Sequence, residues 1–396
     1  MAEAQGRAHG GALRVDDEGR GAFATRAMML GGGARERLDW PLFLGVVFVA
    51  IGGVVNLYSA TSPYMGVAGR EGIADIYVSQ VYWLVVGGLL AILLAAMDYR
   101  FFERIAYILY AGGVVALLLV WALGADIRGS ARWIQIGGFN FQPSEFMKTV
   151  LILAVARYLA DDPKTEPRTL VDLAPPLLLT AVPTVLVMAQ PDLGTSIVYL
   201  LTVAAMLAIT KIRRSSLFWG LSSAGTASFL MWKFGLRDYQ RLRITSFLDP
   251  DANRTSSGWH AFQSKTAIGD GGLLGAGFRE GTQNQFGFLP DQFSDFSFAV
   301  FAEDWGFIGC ACLLGLYCFL CIWAINIASQ AKDRFGAAVA VGVGANLFWQ
   351  VFFNVGMALG IVPVVGITLP LFSYGGSSVI TTLTGFGLLM SISIRR

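Results

Sequence analysis

Apolar residues recur in blocks of about twenty along most of this chain, separated by short segments rich in Arg, Lys, Gly and Pro. A helix of about twenty apolar residues is the length that crosses a bilayer core. The pattern therefore predicts an all-α polytopic membrane protein with about ten transmembrane helices. The predicted spans are 40–59, 79–97, 105–124, 143–160, 170–189, 194–210, 215–234, 297–326, 336–359 and 377–394.

Lys and Arg in the short connections predict the orientation. The N-terminal tail is Arg-rich, and every second connection is basic, with Arg100, Lys164, Lys211 and Lys332 as examples. The positive-inside rule places these segments in the cytoplasm, so both termini lie inside. The remaining connections then lie outside.

The connection at 235–296 is by far the longest and is expected on the outer face. Its aromatic residues among many glycines favour an ordered cap over low-complexity disorder. We expect residues 1–37 to be a disordered basic cytoplasmic tail, and residues 38–396 to form a single membrane domain.

Composition agrees with a membrane protein and gives little else about partners. Hydrophobic residues make up 55% of the chain and charged residues 14%, against about 25% charged in a soluble domain. The net charge of +2 gives no argument for nucleic acid. All four cysteines fall within predicted span eight with no His nearby, which favours helix packing over a metal site.

Carboxylates at the ends of predicted spans are the candidate chemical groups. Glu145 and Lys148 stand three residues apart in FQPSEFMK, a spacing that predicts an ion pair on one helix face. Asp192 in PDLGTS is interpreted as a helix cap. Asp291 and Asp295 stand just before span eight.

The predicted outer segments also hold cations that the positive-inside rule does not explain. Arginine forks suit phosphate oxygens, and neutral amide and hydroxyl groups suit a sugar, although headgroup contact and ordinary surface polarity are the alternatives. The candidate substrate-binding residues are Arg132, Arg241, Arg243, Gln263, Ser264, Lys265, Gln283 and Gln285.

Five stretches together resemble the SEDS family (shape, elongation, division, sporulation), and they run in family order across about residues 40–394. They are FQPSEFMK, QPDLGTS, GWHAFQSKTAIGDGGLLGAGFREGTQNQFGFLP, SDFSFAVFAEDWGFIG and GIVPVVGITLPLFSYGGSS. The last stretch is most similar to the rod-elongation branch. Its Ser373 and Tyr374 join the expected substrate-binding residues.

The resemblance implies a peptidoglycan glycosyltransferase that polymerises lipid II for cell elongation and shape. The 4-hydroxyl of one lipid II would attack the anomeric carbon of another lipid-linked chain, with inversion, and undecaprenyl pyrophosphate would leave. Asp295 maps onto the family's proposed catalytic aspartate, and Glu145 and Lys148 onto its supporting pair. Phe293-Ser294 replaces a pair such as His-Thr, so we expect no His beside Asp295 and no neighbouring imidazole in the chemistry. Asp291 is interpreted as an accessory or turn residue.

The resemblance also implies partners and a location. We expect a class B penicillin-binding transpeptidase and other elongation-complex membrane proteins as partners, and the bacterial cytoplasmic membrane as the location. No cofactor or metal site is assigned. A divalent cation stays an alternative to loop cations for neutralising the leaving pyrophosphate.

Two rival classes fit the same broad features. A lipid II flippase would use Glu145, Lys148, Glu303 and Asp304 to line a pathway, and a non-enzymatic scaffold would bind cell-wall synthases without chemistry. Acids and cations concentrate at the predicted outer rim, which favours the polymerase.

Overall fold

The computed structural model describes residues 38–396 except 68–69, 124, 128–129, 137–138, 163, 165, 237, 249–256 and 290. The predicted N-terminal tail, residues 1–37, lies outside the described residues. Trp40–Arg396 form one contact-dense unit.

Helices dominate this unit. In chain order they are α1 Trp40–Thr61, α2 Glu71–Ala74, α3 Ile76–Ala96, α4 Tyr99–Leu123, α5 Pro143–Asp161, α6 Leu170–Ala189, α7 Leu193–Ala208, α8 Arg214–Leu230, α9 Asp238–Leu248, α10 Ser257–Asp270, α11 Thr282–Gln285, α12 Ser297–Gln330, α13 Arg334–Ala358 and α14 Gly376–Arg395. A 3₁₀ turn, Ser62–Tyr64, follows α1, and a π-helical turn, Met231–Gly235, follows α8.

Each predicted span coincides with one long helix. Among the described residues, seven helices are long and apolar enough to cross a membrane: α1, α3, α4, α6, α12, α13 and α14. The other three are weaker candidates by themselves. α5 carries charged residues, and α7 has 16 residues, which at about 1.5 Å each is shorter than a bilayer core. α8 has 17 residues. The chain is thus a multi-pass membrane protein, and the ten-span count stays a prediction.

A small antiparallel sheet departs from the all-α prediction. Its strands are β1 Ala125–Ile127, β2 Ser130–Ile136 and β3 Phe139–Phe141, in the order β1-β2-β3, with Ile134 opposite Phe141. The sequence had a signal for it, because IQIGGFNF places a Gly-Gly pair between alternating apolar residues, which is typical of a hairpin.

α13 is the central helix of the unit. It packs against α5, α7, α12 and α14, while α14 also packs along α3. α13 and α14 are the most buried of the seven apolar helices. Polar groups on α13 are therefore placed among other helices rather than lipid.

The segment between α8 and α12 contains α9, α10 and α11, and α10 packs against α12. Ala267 of α10 joins a buried apolar cluster with Leu289, Phe296 and Val300. This cluster fixes the start of α12, where the candidate aspartates lie.

Candidate functional site

Asp295 lies in the turn that leads into α12 and is partly buried. The side-chain amide of Asn354, on α13, donates to the backbone oxygen of Asp295 at 3.0 Å and to that of Ile367 at 2.8 Å. Asn354 is itself fully buried. One amide thus ties the Asp295 turn to the connection between α13 and α14.

That connection runs beside the Asp295 carboxylate. A Cβ added at Gly366 would lie 3.4 Å from Asp295 Oδ2, and Gly366 has a φ of +74°. The backbone amide of Tyr374 donates to the Phe293 oxygen at 2.8 Å. Burial raises the pKa of the Tyr374 phenol. The structure therefore brings Tyr374 to the segment that carries Asp295.

Ser373 and Asp291 both lie close to the turn that contains Asp295. The Ser373 hydroxyl lies 2.5 Å from that of Ser297, at the first turn of α12. Asp291 has a φ of +45°, and its backbone oxygen accepts from the amides of Ser294 and Phe296. Asp291 thus shapes the turn that presents Asp295.

Glu145 and Lys148 form a buried ion pair in the first turns of α5. Lys148 Nζ lies 2.8 Å from Glu145 Oε1 and 3.3 Å from Gln350 Oε1 of α13. The Tyr199 hydroxyl of α7 donates to the Ser144 oxygen at 2.6 Å. Three helices therefore hold the pair. Asp192 caps α7 by accepting from the Thr195 amide, which confirms its interpretation as a cap.

α13 connects the ion pair to the aspartate. Gln350 and Asn354 are four residues apart, so they share one helix face. Gln350 contacts Lys148, and Asn354 holds the Asp295 turn. Sequence reasoning missed both residues. The signal was present, because two amide side chains spaced by one turn inside an apolar span need partners.

Glu303 and Asp304 anchor the segment before α12. Both are buried. Glu303 accepts from the backbone amides of Gln283 and Asn284, at 2.7 and 3.1 Å. Asp304 accepts from the Ser59 hydroxyl of α1. These carboxylates hold α11 and α1 against α12.

Two of the remaining predicted residues, Arg132 and Arg241, form hydrogen bonds to backbone oxygens in the described part of the chain. Arg132 donates to the backbone oxygens of Gln190 and Pro191. Arg241 donates to the Lys233 oxygen at 3.0 Å. These two guanidinium groups thus make contacts within the fold, and their role in phosphate binding stays a prediction.

The predicted residues on α10 and α11 also make contacts within the fold. The Ser264 hydroxyl donates to the Ala358 oxygen at 2.8 Å, at the end of α13. Lys265 is exposed and its side chain lies against Gly360. The amide side chain of Gln285 donates to the Ser62 hydroxyl at 2.8 Å.

Three predicted residues remain to be placed. Gln263 is buried on α10, and the Gln283 side chain reaches Asp270 at 3.5 Å. Arg243 lies close enough to His260 to oppose its protonation.

Comparison with known proteins gives the family. The family model FTSW_RODA_SPOVE, described as cell cycle protein, matches residues 40–396. The chain belongs to the SEDS family. It is 38% identical to the peptidoglycan glycosyltransferase MrdB of Escherichia coli K12, over 91% of this chain and 94% of that protein. It is 31% identical to the peptidoglycan glycosyltransferase RodA of Treponema pallidum, over 90% of this chain and 98% of that protein.

Solved structures agree with the rod-elongation branch. This SEDS chain resembles a solved structure that bears the description "Structural coordination of polymerization and crosslinking by a peptidoglycan synthase complex". The TM-score is 0.76 and the identity 34%, over 90% of this chain and 97% of the other. The rod shape determining protein RodA of Thermus thermophilus gives a TM-score of 0.66 at 31% identity, over 90% of this chain and 96% of that protein.

One further group near Asp295 is visible only in three dimensions. The ring centroid of His260, on α10, lies 6.2 Å from that of Phe296. Burial lowers the pKa of His260, and Arg243 lowers it further, while Asp291 raises it. An imidazole that is remote in sequence is thus close to the residue that follows Asp295, whereas the sequence predicted no neighbouring imidazole.

Proposed function

We propose that this chain polymerises lipid II into glycan strands as an inverting peptidoglycan glycosyltransferase, with Asp295 as the general base. The observation that carries the proposal is the way the fold holds Asp295 in place. A buried amide of Asn354 fixes its turn, while its partly buried carboxylate borders the connection between α13 and α14. The relatives named above carry the name peptidoglycan glycosyltransferase.

The reaction is a substitution at the anomeric carbon of the donor. Asp295 takes the proton from the acceptor 4-hydroxyl, and the hydroxyl oxygen forms the new bond to the anomeric carbon. The bond to the pyrophosphate oxygen breaks on the opposite face, and its electron pair leaves with undecaprenyl pyrophosphate. A single base is enough for inversion when the leaving group is already a good one.

The other proposed roles are supporting ones. Glu145 and Lys148 hold α5 against α13, and so preserve the face that carries Asn354. Arg243 and Lys265 are the proposed contacts to phosphate, because both lie in the segment that packs around the start of α12. Among the described residues, no three His, Cys, Asp or Glu side chains come close enough to hold a metal ion. A divalent cation stays the alternative to loop cations for neutralising the leaving pyrophosphate.

The proposed setting is the outer face of the bacterial cytoplasmic membrane, with ten spans and both termini inside. A class B penicillin-binding transpeptidase is the proposed partner, because a solved relative is described as coordinating polymerization and crosslinking in a synthase complex. New strands need cross-linking to bear load. Other elongation-complex membrane proteins are expected beside it.

The experiment is a polymerisation assay with purified full-length protein and lipid II. Wild type should make glycan polymer, and Asp295→Asn should lose about two to four decades in rate, as is typical for loss of a general base. Asp295→Asn keeps the backbone contact to Asn354, so it should fold and retain lipid II binding.

Asp291→Asn is the matched control, four residues earlier in the same turn, and it should lose much less activity. If Asp295→Asn polymerises lipid II near the wild-type rate, the base lies elsewhere. If wild type makes no polymer but moves lipid II across a vesicle membrane, the flippase hypothesis takes its place. A wild type that does neither supports the scaffold.

A further inference from the structure

A pocket of about 320 Å³ opens where α5 and α7 end and α13 begins. Six charged residues line it: Asp162, Lys164, Glu166, Arg168, Lys211 and Arg334. Its apolar wall includes Leu159, Ile209 and Ala338. A pocket of this size is at the lower end of the range for small-molecule sites. It joins cations to an apolar surface.

Two of the pocket's cations are already paired. The Arg168 guanidinium lies 2.9 Å from Asp162, and Lys164 Nζ lies 2.5 Å from Asp172. Lys211 and Arg334 are exposed. In the part of the chain that the structure describes, neither has a carboxylate within 4.0 Å. Glu166 is the exposed anion that opposes them, so the pocket keeps an excess of positive charge.

Backbone hydrogen bonds fix one wall of the pocket in advance. The Arg168 amide donates to the Lys211 oxygen at 2.7 Å, and the Arg213 amide donates to the Arg168 oxygen at 3.1 Å. The Arg168 side chain is buried. Lys211 thus extends from a preformed frame, which reduces the conformational entropy lost when a ligand binds.

The pocket lies far from Asp295, at the opposite end of α13. Arg334 begins α13 and Asn354 is twenty residues further on, a distance of roughly 30 Å along a helix. That is about the thickness of a bilayer core. Beside the pocket, Ile209 exposes 54% of its surface and Val171, three residues after Arg168, exposes 79%.

We propose that this pocket binds the phosphate of an anionic phospholipid in the leaflet opposite Asp295. Lys211 and Arg334 would donate to the phosphate oxygens, because charge-assisted hydrogen bonds to phosphate are strong. The acyl chains would lie on Ile209 and Val171. An uncharged lipid would leave Lys211 and Arg334 without a counter-charge, and a soluble anion would leave the exposed apolar surface uncovered. The site is independent of the glycosyltransferase chemistry.

Native mass spectrometry of the full chain tests the proposal, with phosphatidylglycerol and phosphatidylcholine as probes. Wild type should retain phosphatidylglycerol preferentially. Lys211→Ala/Arg334→Ala should weaken that retention by roughly tenfold or more, since each cation near a headgroup contributes appreciably. Glu166→Gln should strengthen it, because the substitution removes the opposing anion.

Arg214→Ala/Lys332→Ala is the matched control, because it removes two exposed cations near the same end of the helices that do not line the pocket. An equal loss in the control would mean diffuse attraction and would overturn the site. Displacement of phosphatidylglycerol by millimolar inorganic phosphate, with no preference for the lipid, would assign the pocket to a soluble anion instead.

A second measurement needs no variant. A photoreactive phosphatidylglycerol carrying its label near the headgroup should mark peptides from 159–168 and 209–211 of wild type. Phosphatidylcholine with the same label should not compete at equal concentration. Labelling spread evenly over the helix ends would contradict the proposal.

Discussion

At the scale of single residues, the site depends on buried polar groups that hold one another. Lys148 contacts both Glu145 and Gln350, and Asn354 holds the Asp295 turn from one helical turn further along α13. A buried charge left without its partner is costly, whereas an exposed pair contributes little. The two kinds of pair on α5 should therefore respond very differently to substitution.

Lys148→Ala should lower the free energy of unfolding by about 3–5 kcal/mol, because it leaves the Glu145 carboxylate buried and alone. Asp161→Ala, which breaks the exposed pair with Arg157 on the same helix, should cost less than about 1 kcal/mol. Chemical denaturation measures both.

The charge-swapped variant Glu145→Lys/Lys148→Glu should recover part of the polymerase activity that either single change removes. Near-normal activity in both single variants would contradict a supporting role.

His260 gives a prediction about pH. Burial lowers its pKa below the ordinary value of 6.5, so the folded state keeps the imidazole neutral at a pH where the unfolded chain takes up a proton. Protonation then favours unfolding, and stability falls as pH drops below about 6.5. Melting temperatures between about pH 7.5 and pH 5.5 should show this fall in wild type and a shallower one in His260→Gln. Parallel profiles would mean that other groups carry the pH dependence.

At the scale of elements, α12 is two helical segments joined at Gly306. Gly306 has φ 63° and ψ −163° inside the helix, a conformation essentially restricted to glycine. A Cβ there would lie 2.3 Å from the amide nitrogen of Gly275. The Ala276 amide donates to the Glu303 oxygen at 2.9 Å. The interruption in α12 thus frees backbone groups that bind the segment before α11.

Gly306→Ala should lower the free energy of unfolding by about 1–3 kcal/mol from backbone strain alone. The clash of the added Cβ with Gly275 should increase this loss. Gly315→Ala, nine residues later on α12, meets nothing within 4 Å. It should be neutral or stabilising by up to about 1 kcal/mol, because alanine favours helix interiors. Thermal unfolding in one detergent compares the two. Equal melting temperatures would show that the interruption of α12 is not needed for stability.

At the scale of the whole molecule, the predicted cytoplasmic and outer features separate to opposite ends of the helices. The Asp295 turn lies near the end of α13. The pair Arg100–Asp333 lies at the beginning of α13, and the pair Arg168–Asp162 lines the pocket at that same end. This separation agrees with a membrane crossing between them. The orientation of the two ends is a prediction from the distribution of Lys and Arg.

Reporter fusions test that orientation. Alkaline phosphatase fused after Gly271 should be active, because the 235–296 connection is expected outside, whereas a fusion after Lys332 should be inactive. Green fluorescent protein at the same two positions is the reciprocal control and should fluoresce only after Lys332. A fluorescent fusion after Gly271 would place Asp295 on the cytoplasmic face, away from a substrate presented outside.

The sequence by itself determined the class of the protein and the position of its long helices. Apolar blocks of about twenty residues predict helices wherever backbone groups must be satisfied without water, and each of the ten blocks became one long helix. Family-like stretches around Glu145, Lys148 and Asp295 also gave candidate chemistry. These signals are local or carried by motifs, so they are readable from the chain.

Only the tertiary structure decided which groups meet. Asn354 and Asp295 are 59 residues apart, and Ser59 and Asp304 are 245 apart, so no local pattern pairs them. The small sheet at 125–141 was predicted only as a connection. The guanidinium groups of Arg132 and Arg241 donate to backbone oxygens that the sequence did not indicate as partners. A side chain's partner depends on how helices pack, because buried donors and acceptors take whichever complementary group the fold brings within reach.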